Sequence, residues 1–246
     1  MSTLESVDWG GPARHLLEST RSLEVGKPAV MHIRHTARTT VTREKLDRDR
    51  EFDGVALLST PTGVQAAIDF GSALPKDRQV TLYHTYVERA RETAEGIRRG
   101  VIDSGGRAEV AGVISYRMTV DLEAQNRWLV SQRWFPQDGA YDLSRLWTAG
   151  LIPTTILKPS WEFAQGYARV SMENLGEASP DELHIYVSHD HLIAALLYHW
   201  FGVSLYADGI RYLEGLLMQV CEGGLRAWLR DREGVFDLPF WWPRRA

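Results

Sequence analysis

The sequence contains a single cysteine, Cys221, among its 246 residues, so an intrachain disulfide is excluded. A zinc site built on several cysteines is excluded for the same reason. Long apolar runs are also missing, because the run Leu192–Leu197 is far shorter than the roughly 20 residues of a membrane-spanning helix. The N-terminal residues lack the apolar stretch of a secretory signal. We therefore expect a cytoplasmic protein with no membrane partner.

An excess of positive charge is absent as well. The chain has 28 Lys and Arg against 32 Asp and Glu, and its formal net charge is −4. This balance does not indicate a nucleic-acid partner. A hydrophobic content of 44% is enough to bury one large core, so we expect a single domain over residues 1–246. The oligomeric state stays open, with a homodimer as one option.

Short apolar runs alternate with segments of helical spacing along most of the chain. A helix is predicted to begin at Pro61, behind the N-cap Thr60, and another to run from Val87 to about Gly100. Residues 216–230 contain a Glu-Gly-Gly break, which favours a hairpin of two strands. The other predicted elements are strands at 29–33, 80–84, 110–116 and 183–188, helices at 13–20, 161–175 and 192–200, and an exposed charged loop at 36–54. This alternation predicts a three-layer α/β/α fold with a mainly parallel central sheet.

The segment 117–160 does not follow that alternation. It is rich in large aromatic residues, among them Trp128, Trp134 and Trp147, and it contains several helix breakers. We interpret it as an inserted, mostly helical cap. Its aromatic side chains either pack within the cap or line a substrate pocket. The second alternative would favour an organic substrate with apolar surface.

Polar side chains follow three of the predicted strands at the points where those strands end. They lie in the segments 34–38, 85–89 and 188–191, which together contain arginines, histidines and one aspartate. In α/β sheets, ligands bind at the carboxyl ends of the strands. Arginine offers a planar fork of donors to phosphate oxygens, and histidine is a nucleophile near neutral pH. The combination suits phosphoryl transfer. The arginines would repel a metal ion, and we expect neither a metal nor another cofactor.

Four short motifs also follow one another in a fixed order. They are Arg34-His35-Thr36, LLSTPTGVQA at 57–66, HTYVERARETA at 84–94 and VSHDH at 187–191. In this order, and on these elements, they resemble the motifs of the histidine phosphatase superfamily, which has the phosphoglycerate mutase-like or histidine acid phosphatase fold. The resemblance covers the chain from about residue 29 to about residue 200.

The resemblance implies a mechanism and roles for the central residues. His35 would attack phosphorus and carry the phosphoryl group as a phosphohistidine. Arg34, Arg89 and His189 would hold the phosphoryl oxygens and stabilise the charge of the transition state. The implied activity is the hydrolysis of a small organic phosphomonoester. The alternatives are a mutase-like phosphotransferase and a non-catalytic member that binds phosphorylated ligands.

A general acid must protonate the leaving alkoxide, and the resemblance leaves two regions open for it. In the acid phosphatase branch the acid is the aspartate of a His-Asp pair, which here is Asp190. In the mutase-like branch it is a glutamate after the third strand, a region that contains Glu109 and Glu123. We expect the acid to be Asp190.

Four further residues are expected to contact the substrate. Arg38 matches an additional phosphate-binding arginine of the acid phosphatase branch, and His191 follows the His-Asp pair. The other two depart from the family pattern: Thr36 stands where the family usually has glycine, and His84 stands where it usually has serine.

Overall fold

The chain folds around one seven-stranded sheet, and the computed structural model describes residues 2–39, 57–131, 140–204 and 209–239. Residues Thr20–Ser22 form a short 3₁₀ helix. The strands are β1 (Ala29–Arg34), β2 (Gln79–His84), β3 (Arg107–Val113), β4 (Glu182–Ser188), β5 (Gly215–Cys221), β6 (Gly224–Leu229) and β7 (Arg232–Phe236). The helices are α1 (Thr3–Ser6), α2 (Gly10–Ser19), α3 (Pro61–Ser72), α4 (Glu88–Asp103), α5 (Leu122–Ser131), α6 (Ala140–Thr148), α7 (Ser160–Glu177) and α8 (Asp190–Phe201).

The sheet has one parallel half and one antiparallel half. Its strand order is β3-β2-β4-β1-β5-β6-β7, in which β3, β2, β4 and β1 run parallel. From β1 onward each pairing is antiparallel. The predicted α/β fold is confirmed, and β5 and β6 form the predicted hairpin. The strand β7 was not predicted, because its short sequence, Arg-Glu-Gly-Val-Phe, does not alternate between polar and apolar residues.

The strand β1 lies between two apolar cores. Met31 and Ile33 belong to the core that includes residues of α2, α3 and α4, whereas Val30 belongs to the core that includes residues of α7 and α8. Helices on both faces explain why β1 is apolar at nearly every position. His32 is also buried, stacked on Tyr186 with ring centroids 5.0 Å apart, and burial lowers its pKa to about 3.

Glycine allows the helices α3 and α4 to pack closely. A Cβ atom on Gly100 would lie 1.9 Å from the carbonyl oxygen of Ile68, and one on Gly71 would lie 2.1 Å from that of Ile97. The prediction that α4 ends near Gly100 is therefore wrong. This glycine lies at a helix crossing, and α4 continues to Asp103.

The third strand begins earlier than predicted. It spans Arg107–Val113 rather than 110–116, and it forms one edge of the sheet. Ile114 is buried, and its backbone N–H donates to the carbonyl of His84 at 2.8 Å, but it lies beyond the end of the strand. The apolar run that suggested 110–116 therefore combines the end of an edge strand with a buried connection.

Two helices, α5 and α6, lie within the segment predicted to be a cap. Trp147 is 2% exposed, packs on Phe163 with ring centroids 5.3 Å apart, and donates from Nε1 to the carbonyl of Lys158 at 2.7 Å. Trp128 is partly buried against the same core. Packing therefore accounts for these two tryptophans. Trp134 lies outside the described residues, and the extent of the cap stays a prediction.

Two further expectations concern the outer parts of the molecule. Most of the predicted loop at 36–54 lies outside the described residues, which resume at residue 57. In the ranges that the structure covers, no helix is both long and apolar enough to cross a membrane.

Candidate active site

The carboxyl ends of β1, β2 and β4 bring the four central residues of the prediction together. Arg34 lies beside Ser188 in the register of the sheet, so the residues that follow, His35 and His189, are also neighbours. Their ring centroids are 5.2 Å apart. Arg89, from the first turn of α4 after β2, reaches both rings. The order of the strands therefore assembles the cluster that the motifs predicted.

His35 is held as one defined tautomer. Its Nδ1 lies 2.7 Å from the carbonyl oxygen of Thr36, which can only accept, so Nδ1 carries the hydrogen. Its Nε2 accepts from Nε of Arg89 at 3.0 Å and is therefore unprotonated. Burial, together with the charges of Arg89 and Arg34, lowers the pKa of His35 well below its usual value. The ring is thus a neutral imidazole whose Nε2 lone pair is directed at the arginine.

The guanidinium of Arg89 connects the two histidines. Besides its bond to His35, its Nη2 lies 3.5 Å from Nδ1 of His189. Burial and the nearby charges of Arg38 and Arg34 lower the pKa of Arg89 to about 10, which leaves it protonated at neutral pH. Positive charge is therefore concentrated around His35, as a site for an anion requires.

His189 is oriented from the neighbouring strand. Its Nε2 lies 3.0 Å from the hydroxyl of Thr85, the residue directly after β2. Burial and the charge of Arg89 lower the pKa of His189 well below its usual value. Both histidines of the pair are therefore neutral, and each presents one ring nitrogen to Arg89.

Arg34 is held on three sides. Its Nη1 donates to the carbonyl of Ile210 at 2.6 Å, and its Nη2 lies 3.1 Å from Oδ2 of Asp190. The guanidinium also lies over the ring of Tyr212, 4.3 Å from the centroid. These contacts fix the fork at the end of β1 and leave it little rotational freedom.

Asp190, the predicted general acid, is the first residue of α8. Its Oδ1 accepts from the backbone N–H of His191 at 2.8 Å and lies 3.1 Å from Nδ1 of the same residue. Burial alone would raise the pKa of Asp190, but the charge of Arg34 and the bond to His191 outweigh it and hold the pKa well below its usual range. The carboxyl group is thus ionised, and its predicted role as general acid stays a prediction.

The side-chain hydrogen bond of Thr36 accounts for a threonine at a position where the related motif has glycine. Its hydroxyl donates to the carbonyl of Gly63 at 2.7 Å, and its backbone N–H donates to Oγ1 of Thr93 at 3.1 Å. The side chain is fully buried and anchors the turn after β1 to α3 and α4. The predicted contact of Thr36 with substrate stays a prediction, and the structure gives the hydroxyl a different partner.

The remaining predicted residues lie at different distances from the cluster. Arg38 is half-buried, donates to the carbonyl of Thr39 at 2.9 Å, and is close enough for its charge to act on Arg89. His84 is buried at the end of β2, with Nδ1 2.8 Å from the carbonyl of Thr85. Contacts of either residue with substrate stay predictions.

The two glutamates offered as alternative acids lie on other elements. Glu109 is exposed in the middle of the edge strand β3, opposite Thr81 rather than at the carboxyl end of the strand. Glu123 is exposed in the first turn of α5. The structure brings neither of them into the cluster around His35.

Sequence reasoning missed the loop before β5 that supports Arg34. Besides Tyr212, it contains Glu214, which is 1% exposed, pairs with Nε of Arg230 at 2.5 Å, and accepts from the backbone N–H of Arg211 at 2.5 Å. The carbonyl of Glu214 accepts from the backbone N–H of Arg34 at 2.9 Å. One signal was present in the sequence: a lone glutamate inside an apolar run needs a buried partner.

In the described ranges, no group of three His, Cys, Asp or Glu side chains is arranged to hold a metal ion.

Comparison with known proteins rests on structure, since no family model matches the sequence and no curated protein matches it either. One similar solved structure is YhfR from Bacillus stearothermophilus, with a TM-score of 0.54 and 17% identity over 82% of this chain and 96% of that one. Another is a candidate alpha-ribazole-5'-P phosphatase from Escherichia coli, with a TM-score of 0.52 and 17% identity over 83% of this chain and 96% of that one. A third is a protein described as mycobacterial hydrolase 2, with a TM-score of 0.50 and 15% identity over 85% of this chain and 90% of that one.

These likenesses define the class of fold. The chain has the phosphoglycerate mutase-like fold, as the four motifs predicted. At this level of identity the comparison establishes the fold, and the chemistry must be argued from the side chains.

Proposed function

We propose that the protein is a phosphomonoesterase that hydrolyses a small organic phosphate ester through a phosphohistidine on His35. The observation that carries the proposal is the unprotonated Nε2 of His35, 3.0 Å from Nε of Arg89. A neutral imidazole with a fixed tautomer is ready to act as a nucleophile. The adjacent guanidinium can bind the oxygens of the phosphoryl group that the nucleophile attacks.

Binding of the ester begins with charge. Arg34, Arg38 and Arg89 surround His35 with positive charge, and this charge attracts a phosphate dianion into a buried site. Arg89 also places its donors beside both histidines, so one guanidinium would hold the phosphoryl group against Nε2 of His35. Such alignment removes much of the entropic cost of the reaction.

The chemistry then proceeds in two steps. Nε2 of His35 attacks phosphorus, an N–P bond forms, and the bond to the leaving oxygen breaks. Charge that develops on the equatorial oxygens is stabilised by the arginines, whose positions are already fixed by protein contacts. Water next attacks phosphorus, the N–P bond breaks, and inorganic phosphate leaves.

The first test compares the wild-type protein with His35→Ala on a panel of aryl and alkyl phosphates, with release of inorganic phosphate as the measurement. We expect turnover by the wild-type protein and a loss of at least about 1000-fold in the variant. A base quench followed by mass spectrometry should find a phosphoryl group on residue 35. His15→Ala, which changes an exposed histidine of α2, is the matched control and should keep full activity.

Three outcomes would count against this function. Turnover that survives in His35→Ala would show that His35 is not the nucleophile. Absence of turnover on every ester would show that the protein is not a phosphomonoesterase. Transfer of the phosphoryl group to an added alcohol in preference to water would favour a phosphotransferase instead.

A further inference from the structure

Both carboxylate oxygens of Asp190 contact donor groups. Oδ2 lies 3.1 Å from Nη2 of Arg34, and Oδ1 receives the backbone N–H of His191 at 2.8 Å. These donors favour the ionised form, which has no proton to give to a departing alkoxide. A proton placed on Asp190 would also weaken the contact that fixes Arg34. Another group near the site is better placed to supply the proton.

His191 is oriented by that same carboxylate. Its Nδ1 lies 3.1 Å from Oδ1 of Asp190, and because the ionised carboxylate only accepts, Nδ1 carries a hydrogen. The proton that can be gained or lost is therefore the one on Nε2, on the other side of the ring. Among the described residues no hydrogen-bond partner lies on Nε2 of His191, and a histidine with one nitrogen on a carboxylate and the other without a partner is the arrangement used for acid–base catalysis.

The position of His191 also suits a leaving group. Its ring is parallel to that of His189, at an angle of 10° and a centroid distance of 5.6 Å. The ring of Trp147 makes an edge-to-face contact with that of His191, with ring centroids 6.4 Å apart. The rings of His35, His189 and His191 thus follow one another from the end of β1 towards Trp147, in the predicted cap. The leaving group of an ester attacked by His35 departs away from the nucleophile, as in-line displacement requires.

We propose that His191, rather than Asp190, donates the proton to the leaving oxygen, and that Asp190 is the residue that positions it. The inference rests on the proposed function. As the bond between phosphorus and the leaving oxygen breaks, the proton on Nε2 of His191 moves to that oxygen and the ring becomes neutral. When water later attacks phosphorus, Nε2 takes a proton from the water, and the imidazolium is restored.

The charges around the histidines support this division of roles. His35 and His189 lie beside arginine, and that charge adds to burial in keeping them neutral. His191 instead contacts the carboxylate of Asp190 on α8, the neutral ring of His189 after β4, and uncharged Trp147 on α6. An imidazolium at this position is balanced by an anion. Different environments for neighbouring titratable groups are how an enzyme assigns nucleophile and acid.

The test measures kcat/KM for esters whose leaving groups differ in acidity. p-Nitrophenyl phosphate releases a stable phenolate and needs little protonation, whereas β-glycerophosphate releases an alkoxide. In His191→Asn the amide nitrogen can keep the contact with Asp190 but cannot act as an acid. We expect kcat/KM to fall about 100-fold or more for β-glycerophosphate and by less than about fivefold for p-nitrophenyl phosphate.

Companion variants decide between the two acids. Asp190→Asn should impair both esters to a similar degree, because it loosens both Arg34 and His191. His191→Gln gives a second substitution if the Asn variant has a lower melting temperature than the wild-type protein, and it should show the same selectivity for leaving group.

Each contrary result is distinct. Equal losses on both esters in the His191 variants would overturn the inference by showing a structural role. A loss selective for β-glycerophosphate in Asp190→Asn, with His191→Asn close to wild type, would overturn it in favour of Asp190. Absence of turnover by the wild-type protein on both of these esters and on every other ester of the panel would overturn the proposed function, and this inference with it.

Discussion

The parallel and antiparallel halves of the sheet contribute differently to the site. In the parallel half, β1, β2 and β4 are each followed directly by a polar residue of the cluster: His35, Thr85 and His189. The antiparallel half carries none of the four motifs. Its contribution is the loop before β5, which contacts the guanidinium of Arg34 through the carbonyl of Ile210 and the ring of Tyr212.

This difference separates chemistry from positioning. Groups that would meet the phosphoryl group come from strand ends that converge by the geometry of parallel pairing. Further contacts that fix Arg34 come from the neighbouring loop before β5, which also contains the buried Glu214 in its ion pair with Arg230. Substitutions in the parallel half should therefore change rate at nearly constant stability. Substitutions in the antiparallel half should change stability first.

After His35, the largest effect is expected from Arg89, in the parallel half. Arg89→Ala removes the donor on Nε2 of His35 and the charge beside both histidines, and we expect kcat/KM to fall about 100- to 1000-fold. Arg89→Lys keeps the charge but not the fork, so it should recover only part of that loss. Steady-state kinetics on an aryl phosphate is the measurement.

The control for this substitution lies two residues further along the same helix. Arg91 is exposed and pairs with Glu88, and Arg91→Ala should leave kcat/KM within about twofold of wild type. A loss of less than about threefold in Arg89→Ala would contradict the assignment of Arg89 to the phosphate site.

An intermediate effect, this time on stability, is expected from Glu214 in the antiparallel half. Glu214→Gln removes the ionic contact between Glu214 and Arg230 at a position where Glu214 itself is 1% exposed. Because Arg230 is partly exposed to solvent, we expect a loss of about 2 kcal/mol, less than for a fully buried pair. Thermal unfolding should show a melting temperature lower by about 4–8 °C.

A pair on β6 and β7 with an exposed carboxylate supplies the control. Glu233 lies 3.5 Å from Nε of Arg226 and is half exposed, so Glu233→Gln should change the melting temperature by less than about 2 °C. If both substitutions had the same effect, the buried pair would not be what supports the loop.

The two halves also differ in how much of their structure could be predicted from the sequence. In the parallel half, a short apolar strand followed by a polar motif was enough to place His35 and His189, since strand ends of one direction meet at one edge of the sheet. The boundaries of β3 were harder to predict, because the apolar character of Ile114 comes from burial beyond the strand. The role of Gly100 depends on a helix crossing, which no local pattern encodes.

The antiparallel half was less predictable because its contribution to the site is made by tertiary contacts. The contact from Ile210 is a backbone carbonyl, which any residue could supply. Tyr212 acts through its ring face, and neither spacing nor neighbours mark it in the sequence. The same limit applies to the contacts that Asp190 makes with Arg34 and His191 and that keep its carboxyl group ionised, because the motif does not encode them.

The smallest expected effect tests whether the ring of Tyr212 positions Arg34. Tyr212→Leu removes the aromatic face 4.3 Å from the guanidinium, a contact between a cation and a ring worth about 0.5–1 kcal/mol, so kcat/KM should fall about two- to fivefold. Tyr212→Phe keeps that face and should match wild type. If Phe were as damaging as Leu, the hydroxyl rather than the ring would be the group that matters. If neither changed kcat/KM, the carbonyl of Ile210 would be the contact of the antiparallel half that fixes the guanidinium of Arg34.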